Sequence, residues 1–190
     1  GILTRPSANY LVLLQPNEAE KTIIDEHPYI NLAMDYVFIL GVAFLHSVSV
    51  EFQFGTTEAV LGRKSPKEED IEQQVKRVIN LYERRDIRVM RIAADNDFEC
   101  IRDQIRPTNL HIVGRNEHVG PIERCNRTLK EHVRSLLHMT PFKIFCTQMV
   151  IGAVTKATKD MNNIPTSGDM SDTLIFASII KDLPTPDYDT

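Results

Sequence analysis

Residues 123–131 read Glu123-Arg124-Cys125-Asn126-Arg127-Thr128-Leu129-Lys130-Glu131. Gly120-Pro121 opens a helix there, and its pattern runs to about His138. Arg127 and Lys130 follow Glu123 at i+4 and i+7, which puts both cations on the face that carries the acid. A potential metal ligand thus sits beside groups suited to phosphates. A solvated helix with ordinary ion pairs would account for the same residues.

Upstream of this helix, Asp35 to Leu40, Val42 to Val50 and Phe52 to Thr57 are rich in Val, Ile, Phe and Thr, and Gly41 and Gly55 punctuate them. The pattern predicts a three-stranded antiparallel meander. Ser65-Pro66-Lys67-Glu68 reads as a capping box. Ile71, Val75, Val78, Ile79 and Tyr82 then mark one face of a helix ending near Arg84. Ile87 to Ala94 is a buried-type strand with Asp95 just past its end. A short helix to Ile105, a strand over Leu110 to Val113 and the Glu123 helix come next. A helix capped by Thr140-Pro141 and running to about Asn162 follows, with a final short helix over Ser171 to Leu183. The order β-β-β-α-β-α-β-α-α is what an RNase H-like α/β fold requires: a five-stranded mixed sheet flanked by helices. Other α/β or α+β sandwiches share parts of it, and element order alone does not settle function. Residues 1–30, with Pro6, Pro16 and Pro28 and no sustained period, are expected to be an arm or linker ahead of one domain over 31–185.

The run Glu-Arg-x-Asn-Arg-Thr-Leu resembles the end of the catalytic core in retroviral-type integrases of the DDE class, especially those of copia-like LTR retrotransposons. Gly120, Glu123, Arg124, Asn126, Arg127, Thr128 and Leu129 match that signature, and Val119 replaces its Asn. Asp95-Asn96-Asp97-Phe98-Glu99-Cys100 resembles the family's Asp-Asn-Gly-x-Glu-Phe; Asp95, Asn96 and Glu99 match, whereas Asp97 and Cys100 depart. Asp35, in Met34-Asp35-Tyr36, takes the place of the first acid. The interval from Asp95 to Glu123 lacks the Pro-Gln-rich loop of integrases and is shorter by roughly two helical turns.

The resemblance implies that Asp35, Asp95 and Glu123 are catalytic and bind Mg²⁺ or Mn²⁺. Asp35 and Asp95 would be shared ligands, and Glu123 would complete one metal's shell. Phosphodiester transfer needs an activated nucleophilic oxygen and a stabilised leaving oxygen, which two divalent ions about 4 Å apart supply together. Carboxylates suit these hard cations. Arg127 and Lys130, and more weakly Arg124 and Arg134, would hold DNA phosphates. The implied activity is that of a polynucleotidyl transferase and endonuclease, which trims element DNA ends and joins them to target DNA. The alternative is a degenerate or domesticated domain that binds DNA or self-associates without catalysis. Each acid also has a plainer reading: Asp35 at a solvent-facing strand edge, and Asp95 as a helix cap. Asp97 is the reserve ligand. His111, His118 and Cys125 read as packing or surface groups.

The 190 residues suffice for one well-buried domain, and 42% hydrophobic with 25% charged residues reads as globular. No apolar run approaches membrane-spanning length. Three cysteines without a Cys-x-x-Cys pair argue against a disulfide framework and a four-ligand zinc site and point to a reducing compartment. With the resemblance to integrases, the expected setting is intracellular, nucleus and cytoplasm. Residues 1–30 hold one histidine and no cysteine, so the zinc module usual ahead of integrase cores is not expected there. Gly1 in place of Met fits a piece of a Gag-Pol-type polyprotein.

The net charge of −4 is unevenly spread. From Pro121 to Lys159 seven cations against two acids leave +5, and from Asp160 onward six acids against Lys181 leave −5. Local basic surface is what phosphate contact needs. The resemblance to integrases, which act on DNA as multimers, implies DNA and a second copy of the chain as partners. Phe145, Met149 and Val154 are a candidate face for self-association, or otherwise an ordinary core face.

Overall fold

The computed structural model describes residues 25–60, 67–114 and 120–163. Five strands form one mixed sheet: β1 (Tyr29–Ile39), β2 (Val42–Ser49), β3 (Gly55–Val60), β4 (Arg88–Ala94) and β5 (Asn109–Ile112). Their order across the sheet is β3-β2-β1-β4-β5. β1, β2 and β3 pair antiparallel, whereas β4 runs parallel to β1 and to β5. Three helices cover it: α1 (Glu68–Glu83), α2 (Gly120–His138) and α3 (Thr147–Asn163). This is the expected α/β, RNase H-like arrangement.

The β1–β2 connection is tight because Leu40 and Gly41 both take positive φ, at 47° and 81°, the geometry whose twist matches that of the strands it joins. Alternation along each strand then divides the core. Leu32 and Met34 of β1 pack under α1 with Val75, Ile79, Ile92 and Phe98. Val37 and Ile39 pack on the opposite face with Phe44, Leu129, Val133, Val150 and Val154 from β2, α2 and α3. Asp35 lies between Ala33 and Val37 in this alternation and so belongs to the α2 face.

Several expected bounds shift. β1 begins at Tyr29 rather than Asp35, because Tyr29 to Ala33 pair in parallel with Arg88 to Ala93 of β4, a contact absent from local sequence. β3 starts at Gly55; Phe52 and Phe54 are buried in the connection before it. α1 begins after Lys67, whose backbone N–H donates to Asp70 Oδ2 at 3.1 Å. Ser65 and Pro66 lie outside the described residues. A single short 3₁₀ turn, Asn96–Ile101, stands where a helix to Ile105 was expected. Thr140 closes α2 instead of opening α3, its hydroxyl donating to the Leu137 carbonyl at 2.7 Å, and α3 starts at Thr147.

Val154 is fully buried, and Phe145 packs partly buried against the same cluster. Phe145 and Val154 of the candidate self-association face thus belong to the core, and Met149 is half-buried. Of the arm expected over 1–30, Tyr29 and Ile30 belong to β1. Residues 1–24, His118, Val119 and the final helix expected over Ser171 to Leu183 lie outside the described residues.

Candidate metal and nucleic-acid site

Parallel register brings two of the three acids together. Ala33 of β1 is paired with Ala93 of β4. Two residues further on, and therefore on the same side of both strands, stand Asp35 and Asp95. Asp35 is half-buried. Burial raises its pKa above the ordinary 3.8, and the negative charge of Asp95 raises it further; the Tyr36 backbone, Asn126 and Lys130 oppose the shift. Asp95 is exposed, yet partial desolvation also raises its pKa, with Asp97 adding to the effect and the Asp97 amide opposing it. Two neighbouring carboxylates whose ionisation is disfavoured suit a hard cation, whose charge removes that penalty. Asp95 also caps the 3₁₀ turn, accepting from the Asp97 N–H at 3.1 Å.

Glu123 is placed differently. It is exposed in the first turn of α2. Among the described residues, no group of three His, Cys, Asp or Glu side chains is arranged to hold a metal ion. Asp35 and Asp95 are the two carboxylates whose mutual placement suits a divalent cation here. Asp97 is exposed and bound up with the cap of its own turn, and Glu99 pairs with Arg102 at 2.6 Å.

Helical geometry sorts the basic residues. Glu123, Asn126, Arg127, Lys130, Glu131 and Arg134 line one shallow concavity of about 380 Å³. Lys130 is close enough to Asp35 to favour its ionised form. Arg124, a hundred degrees around the helix, faces a second cavity that His132 and Thr128 also line. Cys125 is half-buried, and burial pushes its thiol pKa up, as suits a packing group; His111 is exposed.

Two residues given no role from sequence prove central to the geometry. Asn126 Nδ2 donates to Asp35 Oδ2 at 2.7 Å, and its Oδ1 lies 2.5 Å from His46 Nδ1. His46 is the direct cross-strand partner of Asp35, and Thr57 of β3 is in turn the partner of His46. A polar row therefore crosses three strands beneath α2 and α3. It continues where Thr57 meets Thr158 Oγ1 at 2.9 Å. Asn162 closes its end, accepting from the Gly55 N–H and donating to the Gly55 carbonyl, both at 2.8 Å. The signal was available: counting outward equally from the Leu40-Gly41 turn puts His46 opposite Asp35.

The molecule is an RNase H-like α/β domain with a carboxylate pair where β4 ends beside β1. Among solved structures it is similar to the catalytic core domain of BIV integrase, with a TM-score of 0.56 and 13% sequence identity over 80% of this chain and 95% of that one. A likeness at that identity shows the fold. No protein-family model matches the chain, and no curated protein matches it.

Proposed function

We propose that this chain is the catalytic core of an integrase of the copia-like retrotransposon kind, acting on DNA ends and joining them to target DNA. The observation that carries the reading is the Asp35–Asp95 pair on adjacent parallel strands, beside a helix face with Arg127, Lys130 and Arg134. Asp35 and Asp95 would hold Mg²⁺ or Mn²⁺, and Glu123 is the third acid of the reading. Bound there, such ions would supply the means to activate an oxygen nucleophile and to stabilise a leaving oxygen. Arg127, Lys130 and Arg134 orient the DNA by its phosphates, with Arg124 a more remote contact. Lys130 is one of the groups that favour the ionised form of Asp35 against the burial that raises its pKa.

The test is Mn²⁺-dependent cleavage of a duplex oligonucleotide by the full chain. The parent is expected to nick it. Asp35→Asn and Glu123→Gln are expected to fold, bind the duplex and leave it intact. Because no three-acid group is assembled among the described residues, a second reading has its own support: a domain that binds DNA and no longer cuts it. A parent that binds the duplex with the salt dependence of phosphate contact, yet never cuts it, selects that reading.

A further inference from the structure

The hydrogen-bonded line from Asp35 into the protein has a direction. An ionised carboxylate only accepts, whereas a side-chain amide has one donating and one accepting end. Asn126 must turn its Nδ2 to Asp35, which leaves its Oδ1 facing His46 Nδ1. His46 must therefore carry a hydrogen on Nδ1. The His46–Asn126 link is buried, with His46 1% and Asn126 8% exposed, and the Asn126–Asp35 link is partly buried. The ring is also confined from behind: a Cβ on Gly55 would stand 3.4 Å from His46 Nε2 and 3.6 Å from Asn162 Oδ1. Without the imidazole donor, the Asn126 amide could turn its carbonyl toward the carboxylate, where the two oxygens repel. Buried polar chains of this kind hold orientation only when every member is satisfied.

We infer that His46 is a positioning residue for Asp35, acting through Asn126 to aim its carboxylate toward Asp95. Orientation of a ligating carboxylate by an outer hydrogen bond is worth about 10–100-fold in metal affinity or activity. The effect on turnover rests on the function proposed above; the hydrogen-bond chain and its effect on cation binding do not require catalysis.

The first experiment is ¹⁵N NMR of the histidine rings in the full-length, metal-free chain. It should find His46 with Nδ1 protonated and Nε2 bare, and the opposite tautomer would overturn the inference. The second compares His46→Leu with His46→Asn, whose amide nitrogen occupies nearly the place of Nδ1. By electron paramagnetic resonance, Mn²⁺ affinity should fall about 10–100-fold in the Leu variant and recover in the Asn variant. In the cleavage assay, kcat should follow the same pattern with KM for the oligonucleotide unchanged. A folded Leu variant that binds Mn²⁺ like the parent overturns the inference, as does an Asn variant no better than Leu. If either variant fails to fold, the parent tautomer decides. A parent that binds Mn²⁺ with this pattern but never cleaves removes the proposed catalysis and leaves the positioning role standing.

Discussion

The two faces of the sheet solve the same packing problem with different materials. Under α1, Ile30, Leu32, Met34, Ile92, Phe98 and Val75 close a hydrocarbon core, and its polar groups pair locally, as Tyr36 does with Gln74 at 2.9 Å and Ser47 with Thr56 at 2.6 Å. Under α2 and α3, the apolar cluster of Val37, Phe44, Leu129 and Val154 is bordered by the polar row of Asp35, His46, Thr57 and their helix partners. Hydrocarbon contacts are numerous and non-directional, so the α1 face supplies stability. The polar row gains little net stability per bond, but each bond demands one geometry. That face is where a carboxylate can be held in place.

The largest expected effect is on the α1 face. Ile92→Ala removes buried hydrocarbon beneath α1 and should cost about 2–5 kcal/mol in denaturant unfolding. The polar row should remain intact, so any surviving folded fraction keeps its histidine tautomer. A cost below about 1 kcal/mol would mean the faces do not differ as described. Next comes Asn162→Ala, which strips both partners from the Gly55 backbone at the end of β3. About 1–3 kcal/mol is expected from the same measurement, since a buried N–H and carbonyl lose their bonds.

The third substitution should act in the opposite direction. A carboxyl whose pKa is raised by folding holds its proton longer in the folded chain than in the unfolded one. Asp35 therefore subtracts stability as pH rises from 3.8 through its raised value, and Asp95 does the same. Asp35→Asn should raise the Tm of metal-free protein at pH 7 above that of the parent. The difference should vanish well below pH 3.8, where the parent carboxyl is protonated too. A variant less stable than the parent at pH 7 would refute the strain at this pair. Divalent cation should narrow the gap by stabilising the parent alone.

The smallest effect on stability is expected at the rim. Arg127→Ala and Lys130→Ala remove exposed cations and should leave Tm nearly unchanged. Duplex binding should weaken for all sequences alike, each substitution lowering the slope of log affinity against log salt by about 0.9. Arg124→Ala, facing another cavity, should change that slope less. Equal slopes for all three would place DNA elsewhere than along the Glu123 concavity.

Much of this architecture was legible in the residues. The runs from Asp35 to Leu40 and from Val42 to Val50, split by Gly41, specify a hairpin because strand propensity and turn geometry are local properties. The periodic face of Ile71, Val75, Val78, Ile79 and Tyr82 specifies α1 for the same reason, and the chain order of these elements leads to the RNase H-like sheet. The cations of α2 could be picked out by residue type and spacing, whereas Asp35 and Asp95 were singled out by the resemblance to integrase motifs. Tertiary structure alone decided that β1 extends back to Tyr29, since its pairing with β4 joins residues far apart in the chain. It also decided that Asp35 comes close enough to Asp95 for their charges to interact, and that Asn126 links Asp35 to His46. Parallel register and the seating of a helix on a sheet depend on packing summed over the whole domain, and no window of sequence contains that sum.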